Sequence, residues 1–369
     1  MTQLNRVASL DGVRALAALL VMGFHFIGQF GGHSPAWVRQ ASVVGQTGVD
    51  LFFVLSGYLI TRILLDTAGA KGYYRAFYGR RVLRIFPLYF VFLVIYFFVL
   101  PGVLGRETPD FMTQVWSWFF LENVGQTFPS LGSLGPAHYW SLAVEEHFYL
   151  VWPFIVASVT RRSLLRIVVA VLVLSPILRF VVASQGQSVF FLTPTRLDGL
   201  SLGAGLAILL AQPTGAPGWL LRLARALFLV LPCLLLPLFV MYSGSHGALL
   251  QACKLSLIPL FYAAFVALCL IDEKMAPIRR LLELRWLRWV GSISFGLYVF
   301  HPACYTVIAD VFPMGTTLQY IVLAVGLSFL CAWASFRLIE SPFLSLKRYF
   351  TASANPRRET GAQNIGVVS

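Results

Sequence analysis

The sequence predicts an all-α, polytopic integral membrane protein of about ten transmembrane helices with both termini cytoplasmic. Three observations carry that prediction. Of the 369 residues, 58% are hydrophobic and only 12% are charged, with a mean hydropathy of +0.77. A soluble chain is nearer half apolar, with about a quarter of its residues charged. Several windows also hold the roughly 20 apolar residues that a spanning helix needs. Finally, basic residues crowd every second connection and leave the alternate ones nearly bare, the pattern that sets membrane orientation. Helices follow from the solvent, because backbone polar groups inside lipid must be satisfied within the segment.

The predicted spans run at 10–31, 43–65, 85–104, 139–159, 164–183, 195–211, 226–242, 248–271, 289–309 and 317–339. Between the first two lies a short connection whose one basic residue is Arg39. Arg62, Lys71, Arg75, Arg80, Arg81 and Arg84 crowd the next connection, and Arg161, Arg162 and Arg166 the fourth. Arg222 and Arg225, then Lys274, Arg279, Arg280, Arg285 and Arg288, mark later ones. The connections at 243–247 and 310–316 carry none. The longest outside segment, 105–138, holds "WSWFFLENV" and "PSLGSLGPAHYW", a composition suited to a membrane-surface helix or a lid over a cavity. Residues 1–345 read as one membrane domain and 346–369 as a cytoplasmic tail of disordered composition.

Composition also excludes several classes. The formal net charge of +13 is mostly topological, so nucleic acid is not an expected partner. The first apolar run holds ions and lacks a small-residue cleavage site, unlike a secretory signal. Five cysteines lie in or near apolar segments without CxxC spacing, so neither a disulfide framework nor a metal site is expected. No phosphate-loop, dinucleotide-binding or nucleophile-elbow motif is present.

What remains is a set of ionisable residues inside apolar helices, which are costly there and read as functional by default. The first span carries Arg14 and His25, eleven positions apart. Three helical turns place them on one face, about 16 Å apart along the axis. An arginine clamps phosphate and a histidine accepts a proton near neutral pH, so the spacing suits a long ligand with an anionic head and a reactive tip. Acyl-coenzyme A has that shape. The plainer reading is a snorkelling Arg14 paired with Asp11 and a His25 that bonds a neighbouring helix. "GVDLFFVLSGYLI" adds Asp50 and Ser56, and "YGRRVLRIFPLYF" brings Arg80, Arg81 and Arg84 onto about one turn. That cluster suits a polyphosphate, or simply topology and lipid headgroups. "HYWSLAVEEHFYLVWP" contributes Trp140, Glu145, Glu146 and Tyr149, and "SISFGLYVFHPACY" contributes His301. His301 reads equally as a site residue and as a packing histidine.

Together, Arg14-x10-His25, "FFVLSGYLI", "RRVLRIFP" and "WSLAVEEHFYL", in that order over residues 7–343, resemble the membrane acyltransferase-3 family, ten-helix enzymes that O-acylate sugars. The resemblance is to the membrane domain; an SGNH-hydrolase domain like that of longer members is not expected after the tenth span, which leaves transfer to the acceptor open between the membrane domain and a partner. It implies O-acetyl transfer from cytoplasmic acetyl-CoA, or another acyl-CoA, to a hydroxyl of a carbohydrate, exopolysaccharide, lipopolysaccharide or glycolipid, in a bacterial inner membrane. His25 would be the catalytic residue, with Arg14, Arg80, Arg81 and Arg84 serving the donor. The resemblance also implies importance for Trp140, Glu145 and Glu146 without fixing their roles; both glutamates are candidates for the catalytic centre, where Glu145 could orient the imidazole. Asp50, Ser56, Trp140, Tyr149 and His301 would contact substrate, and no metal is required. His25 acting as a general base and His25 carrying the acyl group are both compatible with this pattern. The competing class is a transporter or flippase for a polar or anionic substrate, which also places polar groups within helices.

Overall fold

A computed structural model describes residues 8–32, 34–212, 215–241 and 247–352. Most of the bare connection at 243–247 and the tail from residue 353 lie outside them. Helices stand at all ten predicted places: α1 Ala8–Phe30, α2 Gly48–Thr67, α3 Tyr73–Val103, α4 Trp140–Ser158 and α5 Arg161–Ser184. They continue as α6 Thr193–Leu210, α7 Gly218–Met241, α8 Ala248–Ile271, α9 Ser294–Val311 and α10 Thr317–Tyr349. The described residues contain no strand.

Seven of these segments are long and apolar enough to cross a membrane, or eight when α9 is joined to the short helix Arg285–Ser292, from which it bends by 71°. The two remaining helices, α4 and α6, are those that carry Glu145 and Glu146 and Arg196 and Asp198. α6 is largely buried among other helices, whereas α4 exposes Leu150, Val151 and Phe154 on one side and buries Trp140, Phe148, Tyr149 and Trp152. On α6, Thr195, Arg196, Asp198, Ser201 and three glycines are all buried.

Burial sorts the bundle into inner and outer members. In the most apolar window of α2, 72% of residues are buried inside the protein, against 17% for α5 and 22% for α7. The outer helices therefore present Leu, Val and Phe outward, as a lipid-facing surface does. The inner pair α2 and α6 pack at backbone contact. A β-carbon on Gly57 would collide with the carbonyl oxygen of Leu200, and one on Gly203 with that of Val54. Small residues permit this close approach within a membrane, which gives the glycine of "LSGYLI" a packing role. Trp152 of α4 donates from its indole nitrogen to Thr61 Oγ1 of α2 at 2.8 Å, tying a third helix to the pair.

The 105–138 segment folds over one end of the bundle through two short helices, Phe111–Trp118 and Glu122–Thr127. Its keystone is Glu122, fully buried, which accepts from Ser117 at 2.6 Å, Gln126 at 2.8 Å and Ser133 at 3.0 Å. Phe120 adopts φ 58°, a conformation rare for a bulky residue. There its ring stacks on Tyr89 of α3 at 4.1 Å between centroids. Arg106 is ion-paired to Asp310 at 2.5 Å, fastening the segment to the end of α9.

Candidate functional site

Helix α1 is continuous from Ala8 to Phe30, so Arg14 and His25 keep the three-turn spacing expected of them. The His25 end meets α9. His25 Nδ1 lies 3.0 Å from His301 Nε2, and His301 Nδ1 lies 2.9 Å from the carbonyl oxygen of Leu297. A carbonyl only accepts, so Nδ1 of His301 donates and, with the ring neutral, its Nε2 holds the lone pair. Nδ1 of His25 must then be the donor between the rings. Its Nε2 is left as a lone pair on the far side of the imidazole, on a ring that lines a cavity of about 140 Å³. The tautomer follows from the partners, as it does for metal-bound and catalytic histidines.

A third histidine closes the group. His138, at the end of the capping segment, is buried and bonds through Nε2 to the carbonyl oxygen of Val299 at 3.1 Å. Its ring centroid is 5.8 Å from that of His301. Tyr298 donates to the backbone oxygen of His138 at 2.8 Å and pairs with Ser141 Oγ at 2.5 Å, locking the segment to α9. The cavity wall is completed by Gln46, Gln126, Trp140, Phe190, Phe191 and Tyr298 among others. One side of this chamber is thus aromatic, and the other carries imidazole and amide groups. Among the described residues, no three His, Cys, Asp or Glu side chains are arranged to hold a metal ion.

Next to it lies a second cavity of about 270 Å³, lined by Gln46, Thr47, Asp50, Phe190, Gln251 and Lys254 among others. Asp50 accepts from Arg196 at 2.8 Å in a buried ion pair. The Arg196 guanidinium lies over the rings of Phe190 at 4.9 Å, Trp140 at 5.7 Å and Phe53 at 5.8 Å. Its Nε and Nη1 have no hydrogen-bond partner, so these aromatic faces are what surrounds that charge. Arg179 and Asp198 form a second buried pair at 2.7 Å behind it.

The other end of α1 gathers arginines. Arg14 pairs with Asp11 at 3.6 Å and is close enough to Arg81 and Arg84 for their charges to act on it. Arg84 reaches Glu340 of α10 at 3.3 Å. Arg81 lies over the rings of Phe77 and Tyr149, the latter at 5.6 Å. Tyr149 in turn donates to Glu145 Oε2 at 2.9 Å, and Ser56 donates to Glu145 Oε1 at 2.8 Å. Arg80 points outward from this group and donates to the carbonyl oxygen of Phe350 at 2.6 Å.

The twelve residues singled out from sequence therefore divide. His25 and Trp140 line the histidine chamber, His301 is buried and bonded to His25, and Asp50 lines the cavity beside it. Arg14, Arg81, Arg84, Ser56, Glu145 and Tyr149 form the arginine end, with Arg80 at its margin. Glu145 does not orient the His25 imidazole: both its oxygens are engaged by Ser56 and Tyr149, and His301 stands where that orienter was expected. Glu146 is half-buried, and its Oε1 has no partner. His138, Gln46, Gln126, Phe190 and Lys254 were not singled out. The available signal was the histidine immediately before the "YWSLAVEE" run and the lysine inside the eighth apolar span.

Comparison with known proteins gives the family of the chain. An acyltransferase domain family model matches residues 7–337. The chain is 30% identical over 361 residues to the peptidoglycan O-acetyltransferase OatA of Listeria monocytogenes, covering 91% of this chain and 55% of that protein. It is 30% identical over 365 residues to the putative peptidoglycan O-acetyltransferase YrhL of Bacillus subtilis, covering 92% and 55%. With the O-acetyltransferase OatA of Staphylococcus aureus it shares 24% over 367 residues, covering 90% and 56%. The chain thus spans little more than half the length of these relatives. No solved structure matches it. A match that covers nearly all of a helical chain rich in spanning segments has one reading: this multi-pass bacterial membrane protein belongs to the acyltransferase-3 family.

Proposed function

We propose that the protein is an O-acetyltransferase that moves an acetyl group from cytoplasmic acetyl-CoA to a hydroxyl of a carbohydrate on the other side of the membrane. The observation that carries this is the bonded chain Leu297–His301–His25, with the Nε2 lone pair of His25 on the wall of a cavity. In this reading Nε2 takes the proton of the acceptor hydroxyl as its oxygen attacks the thioester carbonyl. The C–O bond forms, the C–S bond breaks, and the coenzyme A thiolate leaves and takes up a proton. General-base catalysis of this kind contributes typically 10²–10⁴-fold. His301 is a positioning residue, because it accepts the Nδ1 hydrogen and so holds the tautomer. The same lone pair could instead take the acetyl group first, in a covalent two-step route.

The arginine end supports the donor. Cations gather there around few carboxylates, and guanidinium groups pair well with phosphate. The positive-inside rule places that end, and both termini, at the cytoplasm, where acyl-CoA is found. The names of the curated relatives make a cell-wall glycan such as peptidoglycan the acceptor to try first.

The test is acetyl-CoA turnover by the purified full chain in nanodiscs, followed with acetyl-labelled donor. Wild-type protein should release or transfer the label, and His25→Ala should lose at least about 10²-fold while keeping its elution profile and melting temperature. Intact thioester in the wild-type sample would refute acyl transfer. Near-wild-type turnover in His25→Ala would refute the role of His25.

A further inference from the structure

Part of the wall of the histidine chamber comes from the folded 105–138 segment, which the chemistry above does not use. That segment is organised around one carboxylate. Glu122 is fully buried and takes hydrogens from Ser117, Ser133 and Gln126. Glycines make this wrapping possible. A β-carbon on Gly135 would collide with Ser117 Oγ and Glu122 Oε2, and one on Gly125 with the Ser133 side chain. A carboxylate only accepts, so the end of the Gln126 amide that meets Glu122 Oε1 at 2.8 Å is its NH2 group. The amide is thereby oriented. The end left over, on a side chain that lines the chamber, is the carbonyl oxygen.

His138 is fixed by the same logic. Its Nε2 meets the carbonyl oxygen of Val299 at 3.1 Å and must donate. Burial pushes this imidazole down to about 3, so the ring is neutral and its Nδ1 keeps a lone pair. His25, His138 and Gln126 all line the chamber, and each is left with an acceptor. Such a wall matches a ligand whose polar groups donate, while Trp140, Phe190 and Phe191 offer flat apolar faces to the rest of it. The volume of about 140 Å³ is well under the roughly 300 Å³ at which ligand pockets begin. These groups therefore address one ring and its substituents.

We infer that Gln126 is a specificity-determining residue of the acceptor site, its amide oxygen accepting from a second, non-reacting hydroxyl or acetamido N–H of the ring whose reacting hydroxyl donates to His25 Nε2. The inference rests on the acyl-transfer reading and adds to it the pattern of the acceptor, two donors on one ring. A ring without the second donor leaves an acceptor in the chamber unpaired, and sites built to bond a hydroxyl reject analogues lacking it for that reason.

The experiment measures acetyl transfer from acetyl-CoA, by the full chain in nanodiscs, to disaccharides of N-acetylglucosamine, glucose, galactose and mannose. Each is compared with analogues in which one hydroxyl or acetamido group at a time is replaced by hydrogen, or has its own hydrogen replaced by methyl. At least one sugar should be acetylated. For that sugar, loss of one non-reacting group should lower the wild-type kcat/KM about tenfold or more. The methylated analogue should do no better, because it can accept but not donate. Gln126→Met should lower the parent sugar by about the same factor and abolish its advantage over the analogue, as a shared hydrogen bond requires. Gln126→Leu repeats that arm, with elution profile and melting temperature as controls of folding. A wild type indifferent to every non-reacting group would overturn the inference, as would a methylated analogue equal to the parent or a penalty that survives in both variants. Turnover of acetyl-CoA with transfer to none of these sugars would overturn it as well. Acetyl-CoA left intact by the wild type would instead defeat the acyl-transfer reading beneath it.

Discussion

The two ends of α1 hold the polar groups of this molecule in opposite states. At the histidine end, three imidazoles lie among aromatic rings and are satisfied by carbonyl oxygens and by one another. At the arginine end, Arg14, Arg81 and Arg84 crowd together with Asp11, Glu145 and Glu340 nearby, and Lys347 lies within electrostatic reach of the same arginines. The first arrangement fixes where hydrogens sit and leaves one lone pair of His25 available. The second concentrates cations and invites an anion from outside. On the reading proposed above, the first end moves a proton and the second holds the phosphates of the donor. A single uninterrupted helix separates them by a length suited to one extended donor.

That contrast can be broken most severely at His301. Its removal would let the His25 imidazole choose the other tautomer, the kind of error that costs about 10⁴-fold in a serine-protease triad. His301→Ala should therefore lower kcat about 10²–10⁴-fold with little change in the KM for acetyl-CoA. His301→Gln, whose side-chain oxygen can still accept from Nδ1, should recover part of the loss. A structural role alone would show no such rescue and would shift KM and melting temperature together.

The arginine end should answer differently. Charge-assisted hydrogen bonds contribute about 1.5–3 kcal/mol each, so Arg84→Gln and Arg81→Gln should each raise the KM for acetyl-CoA about tenfold or more. Turnover at saturation should change little. Arg80→Gln should do least of the three, because Arg80 is exposed and spends its Nε on the Phe350 carbonyl. A donor lacking the 3′-phosphate of coenzyme A sharpens this. If Arg84 or Arg81 holds that group, the corresponding variant will no longer distinguish the two donors. Equal KM values for all three variants would reduce the cluster to topology.

The smallest effect belongs to a charge remote from both ends. Asp272, just past α8, accepts two hydrogen bonds from Arg225 at 2.7 Å each. That guanidinium holds the carboxyl down at about 2, below its ordinary value of about 3.9. A carboxylate held low adds stability above its unfolded value and loses it as pH falls through the folded one. Asp272→Asn should thus lower the melting temperature by a few degrees or less at neutral pH, with activity intact. The gap to wild type should narrow between pH 4 and pH 2. A gap that is constant with pH would mean the loss comes from something other than this charge.

Much of the fold is legible in the chain before folding. The ten predicted runs fall on helices, and seven of them, or eight with the bent pair, are long and apolar enough to cross a membrane, where a run of that length has no other way to satisfy its backbone. The pairing of Arg14 with His25 was equally legible, since helical periodicity alone puts them on one face. Apolarity was a poorer guide at α4 and α6, whose polar residues lower their hydropathy: Arg196 and Asp198 of α6 are buried, and Glu145 of α4 is bonded to Ser56 of α2. His301 shows the limit most directly. It is 276 residues from His25, and nothing local distinguishes a packing histidine from the partner that sets another ring's tautomer.

Sequence by itself determined the class of protein, the helices and the separation between a cationic and an imidazole end, because these depend on composition and on spacing within one segment. Only the tertiary structure decided which groups meet. It gave Glu145 to Ser56 and Tyr149, brought His138 and His301 to His25, and set Lys254 beside the Asp50–Arg196 pair. The physical reason is that hydrogen bonds and ion pairs act over about 3–4 Å. Their partners come from distant segments whose approach is set by packing, here by glycines such as Gly57 and Gly203 that let two inner helices touch at the backbone.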